Sequence, residues 1–226
     1  MCHNCRCGTA TYSFGVYIPS HYAVDDEEAA AFLSTIEVAD LVTMTDKGLL
    51  STFLPLLFDA DRGSLLGHVA RPNEQWKLKP QGEALAIARG TDAYVSPSWY
   101  ASKAEHGRVV PTWNYTIAHV YGELQVHDDV TWLDTLVRRL TARHEAGRTH
   151  PWRVDDAPAK FHAGQLKAIV GIELAISRVE VKFKLSQNRS AADLDGVVDG
   201  LAADGLPDAA SAVERARPPA KRRAAG

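Results

Sequence analysis

The chain has 226 residues, a formal net charge of -3 and an apolar share of 46%. That is enough apolar material for one sizeable core, and the charge gives the body no overall attraction for nucleic acid or anionic membrane. No apolar run approaches the roughly 18–20 residues that cross a bilayer, and the N-terminus has no apolar signal core, so the expected location is the cytoplasm.

The cysteines come first, as Cys2, Cys5 and Cys7 around His3. A structural zinc site draws four ligands, usually as two separated pairs. No second pair follows, so no metal is assigned there. Residues 1–15 read as a disordered extension, with the fold beginning at Val16 in VYIPSHY. Residues 25–37 read as a helix, with acids in the first turn facing the positive end of the helix dipole. Residues 39–45 and 49–58 read as strands around the turn Asp46-Lys47-Gly48, and 64–70 as a third strand after another turn. Residues 72–79 suggest a short helix anchored by Trp76, and 83–89 a further strand.

Residues 91–122 hold a dense run of aromatic and proton-carrying side chains, TDAYVSPSWYASKAEHGRVVPTWNYTIAHVYG. Its two flanks read as strands around the polar loop ASKAEHGRVV. Flat apolar walls with few polar groups suit a cofactor pocket, and equally suit an ordinary hairpin with an aromatic core. Residues 128–146 carry an apolar stripe, Trp132, Leu133, Leu136, Val137 and Leu140, at helical spacing. Asp128 or Asp129 caps it. Residues 158–168 suggest another helix, 169–176 and 179–183 two strands, and 190–203 a helix capped by Ser190. From residue 205 onward Pro, Ala and Arg dominate, and a disordered basic tail is expected. About seven strands with helices in the connections define an α+β protein with an antiparallel sheet or barrel. No Rossmann or P-loop signature and no helix-turn-helix is present.

The segments VYIPSHY, GHVARPNEQWK, YVSPSWYASKAEHGRVVPTWNY, HVYGEL, AIVGIE and KLSQNRS, in this order over residues 16–201, resemble the PaiB-like family, described as FMN-binding negative transcriptional regulators. The resemblance implies a split β-barrel of the FMN-binding, pyridoxamine-phosphate-oxidase-like kind with peripheral helices, spanning 16–204. It also implies a homodimer with the cofactor near the subunit interface. Split barrels of this kind hold FMN in some branches and haem in others. One PaiB-like branch resembles the haem-dependent piperazate synthases, which close an N–N bond in N5-hydroxy-L-ornithine.

The site residues follow from that resemblance. His68 lies in the strand LLGHVAR beside Gly67, whose missing side chain would let a backbone or planar ligand approach. Its imidazole is a candidate axial ligand to haem iron or a hydrogen-bonded half-buried histidine. Arg71 suits a haem propionate or an FMN phosphate. Thr52-Phe53-Leu54-Pro55 stands where the resemblance leads one to expect Thr-His-Leu-Pro; Thr52 and Phe53 are assigned to the cofactor pocket, where Phe53 would turn a polar position into an apolar wall. Lys103 and, in reserve, His106 are candidate bases, or parts of a solvated loop. Trp99, Tyr100, Trp113 and Tyr115 would wall a pocket or a dimer interface, and Asn114 would orient a ligand or form a turn. Lys182, Lys184 and Arg189 offer anion contacts, or merely protect a strand edge. The primary expectation is a haem b enzyme with His68 on the iron, acting on a hydroxylated diamino acid. The alternative is an FMN-binding regulator or sensor without turnover.

Overall fold

A computed structural model describes residues 17–219. The expectation for residues 1–15, cysteines included, lies outside the described residues. Six strands form the centre: β1 (Val38–Thr45), β2 (Gly48–Asp59), β3 (Ser64–Ala70), β4 (Ala84–Val95), β5 (Thr112–His127) and β6 (Ile169–Lys184). They close an antiparallel barrel in the order β1-β2-β3-β6-β5-β4. Leu41 on β1 lies opposite Thr52 on β2 and Ala86 on β4, so the pleat turns one side of each strand inward. The interior is filled by Leu54, Leu56, Leu65, Val120, Ile172 and Leu174 against the small Ala84, Ala86, Ala88 and Ala118. Large side chains from one wall meet small ones from the other, which suits a narrow barrel.

Two pairs of expected strands are in fact single bulged ones. Residues 83–89 continue past Gly90 and Thr91 into β4, with a register shift against β5 between Arg89 and Asp92. Residues 169–176 and 179–183 are both part of β6, shifted against β5 at Tyr121 and Gly122. The extra residue, Ser177, hydrogen-bonds back to the Tyr121 carbonyl at 3.2 Å. Residues 72–79 form turns rather than a helix. Several of their side chains bind outside the segment: Asn73 donates to Thr52 Oγ1, Gln75 to the Leu41 carbonyl and Thr43 Oγ1, and Trp76 to the Arg71 carbonyl.

Helix α1 (Asp26–Thr35) is capped by Asp25, whose side chain accepts from Glu28 N at 2.8 Å. A single turn and a half, α2 (Ser102–His106), ends at Gly107 in the left-handed region. Helix α3 (Val130–Glu145) is capped by Asp129 and lays Leu136 and Leu140 on Leu57 and Leu66, outside β2 and β3. Helix α4 (Ala159–Lys167) joins α3 through His162, 2.6 Å from Asp134. Helix α5 (Ala191–Ala203) is capped by Ser190.

The expected tail from residue 205 needs correction. Residues Pro207–Arg215 form α6, with Ala209, Ala210, Ala212 and Val213 buried. These small side chains seat α6 against Leu194, Val197 and Leu201 of α5, Val95 of β4 and Tyr100, making a second core. Arg217 is not loose either; it pairs with Asp195 at 2.9 Å and Glu214 at 2.7 Å. The Ala-rich composition that suggested disorder is what allows the close helix–helix approach.

Candidate functional site

The helices cover only part of the barrel. The outward face of β2, β1, β4 and β5 carries Leu49, Phe53, Met44, Tyr94 and Trp113, all exposed. Phe53 is 67% and Trp113 54% exposed. Trp113 meets Tyr94 edge to face, with ring centroids 6.1 Å apart. Large apolar side chains left exposed on a sheet are candidates for contact with a partner.

At one end of this face, where β5 begins and β6 ends, basic side chains crowd together. Lys182 and Lys184 alternate on β6 and flank the ring of Tyr115, at 5.7 and 5.8 Å from its centroid. Arg189 lies 4.5 Å over the ring of Tyr100. Among the described residues none of these three cations is salt-bridged to a carboxylate. Lys184 donates to Thr112 Oγ1 and the Trp113 carbonyl. Burial, then repulsion from Lys182 and Arg189, holds its ammonium below the ordinary lysine pKa. The turn behind them is tight. Ser186 sits at φ +67°, in the left-handed region where a side chain is strained. Gln187 closes it, accepting from Leu185 N and donating to the Phe183 carbonyl.

Two buried polar atoms point at the same place. Asn114 is 2% exposed; its Oδ1 accepts from Ser186 Oγ at 2.9 Å, while its Nδ2 has no partner. The Tyr100 hydroxyl, equally buried, makes no hydrogen bond of good geometry, although Arg189 and the Ser186 hydroxyl lie close enough to act on it. Unmade hydrogen bonds of this kind cost about 1–3 kcal/mol each, and they accumulate where a ligand completes them. Tyr22, whose hydroxyl lies 3.4 Å from Asn188 Oδ1, has its pKa raised by burial.

His68 belongs to a different place. It lies outward on β3, half-buried, in a cleft of about 330 Å³ with Pro55, Val137, Leu140, Thr141, His144, Glu145 and Trp152. Burial lowers its pKa, so the imidazole is held neutral. Its Nδ1 is buried without a hydrogen-bond partner among the described residues. His68 pairs with Gly171 at the start of β6, whereas Lys184 ends that strand. The thirteen residue steps from Gly171 to Lys184 correspond to roughly 40 Å of strand contour.

The structure therefore divides the residues singled out in the sequence. Asn114, Lys184 and Arg189 come together, with Trp113 beside them. Phe53 lies on the bare face two residues from Pro55, the wall of the His68 cleft. Four expectations are corrected. Arg71 is not free for an anion: it holds Asp128 with both terminal nitrogens and donates to the carbonyls of Lys167 and Ile169. Thr52 receives Asn73 and ties down the loop after β3. Trp99 packs on α5, where a side chain at Gly196 or Gly200 would overlap it. Gly67 admits no ligand, because its vacant side-chain position is already met by Leu56 Cδ2 at 2.7 Å and the Pro55 carbonyl at 2.8 Å.

Lys103 and His106 stay on the exposed surface of α2, outside the His68 cleft. Lys103 donates to Ser98 Oγ at 3.0 Å and His106 Nδ1 accepts from Arg108 N at 3.1 Å. Residues not singled out from sequence are Tyr22 and Ser186 at the cationic end and His144 and Trp152 in the cleft. His144, four residues after Leu140 on α3, had a readable signal in its helical spacing. Among the described residues no group of three or more His, Cys, Asp or Glu stands ready for a metal ion, and no helix is long and apolar enough to cross a membrane.

Barrel and helices together define an α+β split-barrel protein. Residues 16–178 match the FMN-binding domain family. The chain is 31% identical over 206 residues to the protease synthase and sporulation protein PAI 2 of Bacillus subtilis, covering 88% of this chain and 95% of that one. The chain belongs to this PaiB-like FMN-binding family. In fold it is similar to the FAD and heme binding protein from Mycobacterium smegmatis, with a TM-score of 0.55 at 16% identity over 80% of each chain. It is also similar to the flavocytochrome Anf3 from Azotobacter vinelandii, with a TM-score of 0.53 at 15% identity over 70% of this chain and 67% of that one.

Proposed function

We propose that the protein binds FMN, with the phosphate held by Lys182, Lys184 and Arg189, and acts as a flavin-bearing sensor or regulator. The observation that carries this reading is a cluster of three cations without a salt bridge among the described residues, beside two buried polar groups, Asn114 Nδ2 and the Tyr100 hydroxyl, that have a donor to spare. A phosphate supplies the missing charge and the missing acceptors at once. Asn114 Nδ2 and the Tyr100 hydroxyl are free to donate to a ligand's oxygens, and the strained Ser186 turn holds them in position. FMN, when bound, supplies one- and two-electron redox chemistry. The bare face around Phe53, Tyr94 and Trp113 is covered by a second copy of the chain, so the working unit is a homodimer. Direct reading of DNA is not part of this proposal. The arginines of α3 are engaged, Arg138 with Asp134 and Asp155, Arg139 with Asp59, and Arg143 with the Ser34 carbonyl.

A second reading is favoured by His68. A neutral imidazole over an apolar cleft is what an axial haem ligand requires, and both solved structures described above have names that join a flavin to a haem. In that reading the protein is a haem b enzyme closing the N–N bond of piperazate from N5-hydroxy-L-ornithine. Haem iron would supply Lewis-acid polarisation of the N–O bond. The N–O bond breaks as the N–N bond forms, the hydroxyl leaves as water, and the attacking amine gives its proton to a base. His144 lies in the cleft with His68 and fits that base better than Lys103 or His106. Glu145 is occupied by Trp152 N and Arg148. The missing Nδ1 acceptor tells against this reading, since ligating histidines usually donate from the other ring nitrogen.

The test is the chromophore. The purified protein, reconstituted with FMN and with haem separately, should retain FMN, identified by mass after denaturation, and lose it in Lys184→Met. A Soret band abolished by His68→Ala, without flavin retention, would replace the first reading by the second. Loss of one water from N5-hydroxy-L-ornithine would then assign the reaction.

A further inference from the structure

A further cavity lies apart from both of these sites. It measures about 620 Å³ and lies between α1 and α6 above the bulge of β4. Phe183 and Leu185 of the chain end of β6 line it, on the opposite side of the strand from Lys182 and Lys184. Phe32 of α1 stands edge to face with Phe183, centroids 5.2 Å apart, and makes an apolar wall. Gly90 and Thr116 also line the cavity and pack directly on one another; a Cβ at Gly90 would overlap Thr116 Oγ1 and reach Phe32.

Opposite charges stand at the opening. Glu28 of α1 and Arg215 of α6 both line this cavity and the adjoining groove, so they flank the boundary between the two. They form no ion pair with one another, nor with any other described residue. Burial and the neighbouring Asp25 raise the pKa of Glu28, so its carboxylate gains from a cation brought close. On α6, Asp208, Ser211, Ala212 and Arg215 fall on the face turned to the cavity, at helical spacing.

We propose that this cavity is a second ligand site, separate from the cofactor site, and that it takes a free α-amino acid with an apolar or aromatic side chain. The ammonium group meets Glu28, the carboxylate meets Arg215, and the side chain enters between Phe32 and Phe183. A gap between unpaired opposite charges is closed by a ligand that carries both signs a few ångströms apart. The volume falls within the range of small-molecule pockets, about 300–1,000 Å³. The proposal does not depend on which cofactor the protein carries.

The experiment is isothermal titration of the full chain with L-phenylalanine, L-leucine, L-glutamate and L-lysine. N-acetyl-L-phenylalanine and L-phenylalaninamide, each lacking one charge, serve as controls. The expected result is saturable binding of phenylalanine and leucine, weakened at least tenfold by Arg215→Gln and by Glu28→Gln, and lost with either blocked analogue. Ser211→Trp, on an exposed cavity-lining position, should fill the space and abolish binding with an unchanged melting temperature. No binding of any amino acid at millimolar concentration would overturn the proposal. So would equal binding of the blocked analogues, equal binding of lysine and glutamate, or undiminished binding by a folded Ser211→Trp protein.

Discussion

Replacing Lys184 by Met keeps the stem and removes the charge, and its two consequences should have opposite weight. In the free protein the ammonium makes hydrogen bonds to Thr112 Oγ1 and the Trp113 carbonyl, worth roughly 1.5–3 kcal/mol each because the donor is charged. Against these stand its partial burial and the repulsion of Lys182 and Arg189, the causes of its lowered pKa. The opposing contributions should leave the apo stability changed by less than about 2 kcal/mol. FMN binding loses a charge-assisted hydrogen bond with no offset, about 1.5–3 kcal/mol, or roughly 10–150-fold in Kd. Flavin fluorescence titration measures the affinity and urea denaturation of the apo protein measures the stability. Lys47→Met, on the turn between β1 and β2, is the control. Affinity within twofold of the parent, or a loss matched by the Lys47 control, would refute the phosphate site. Raised salt should also weaken binding, because the cations are partly exposed.

Other outcomes follow from the same geometry. The folded pKa of His68 lies below its unfolded value of about 6.5, so the unfolded chain binds the extra proton first. Its contribution to stability is therefore complete above about pH 6.5 and is lost as pH falls below it, by at most about 1.4 kcal/mol per pH unit. His68→Gln should flatten that slope in urea titrations between pH 7 and 5; His119, also lowered by burial, is measured alongside as His119→Gln. An unchanged slope in the His68 variant would mean that the ring is solvated. Leu201→Ala, at a fully buried position of the second core, should destabilise by about 2–5 kcal/mol. Far-ultraviolet dichroism and tryptophan fluorescence should follow one transition; separate transitions would show that α5 and α6 fold apart from the barrel. Phe53→Ser combined with Trp113→Ser should convert a sedimenting dimer to a monomer, and a wild-type chain that sediments as a monomer would remove the interface.

Much of the chain was readable residue by residue. The Asp25 and Ser190 caps, the stripe on α3 and most strand positions carry local signals: a side-chain oxygen before a helix, a period near four, an alternation of two. The family resemblance supplied the barrel. Misreadings arose where a local signal was answered from far away. The segment after β3 looked helical because Trp76 and its neighbours fit one, but Asn73 and Gln75 form their hydrogen bonds with β1 and β2 instead. The Ala-rich C-terminal segment resembled a tail because small apolar residues have little to bury alone. Once α5 is present, they are the residues that fit between two helices.

The candidate sites divide along the same line. Chemical type was visible in the sequence: cations at Lys182, Lys184 and Arg189, a histidine suited to a metal, and aromatic rings near both. Their grouping depended on strand register and on which face each side chain took. One long strand, β6, carries His68's neighbour at one end and Lys184 at the other, so two residues that suit one cofactor equally well on paper sit at separate places. Arg71, chemically as good an anion ligand as any, was committed to Asp128 by the turn into α3. Sequence sets what a side chain can do; only the folded chain settles what stands within its few ångströms of reach, because hydrogen bonds and charges act at that range and no further.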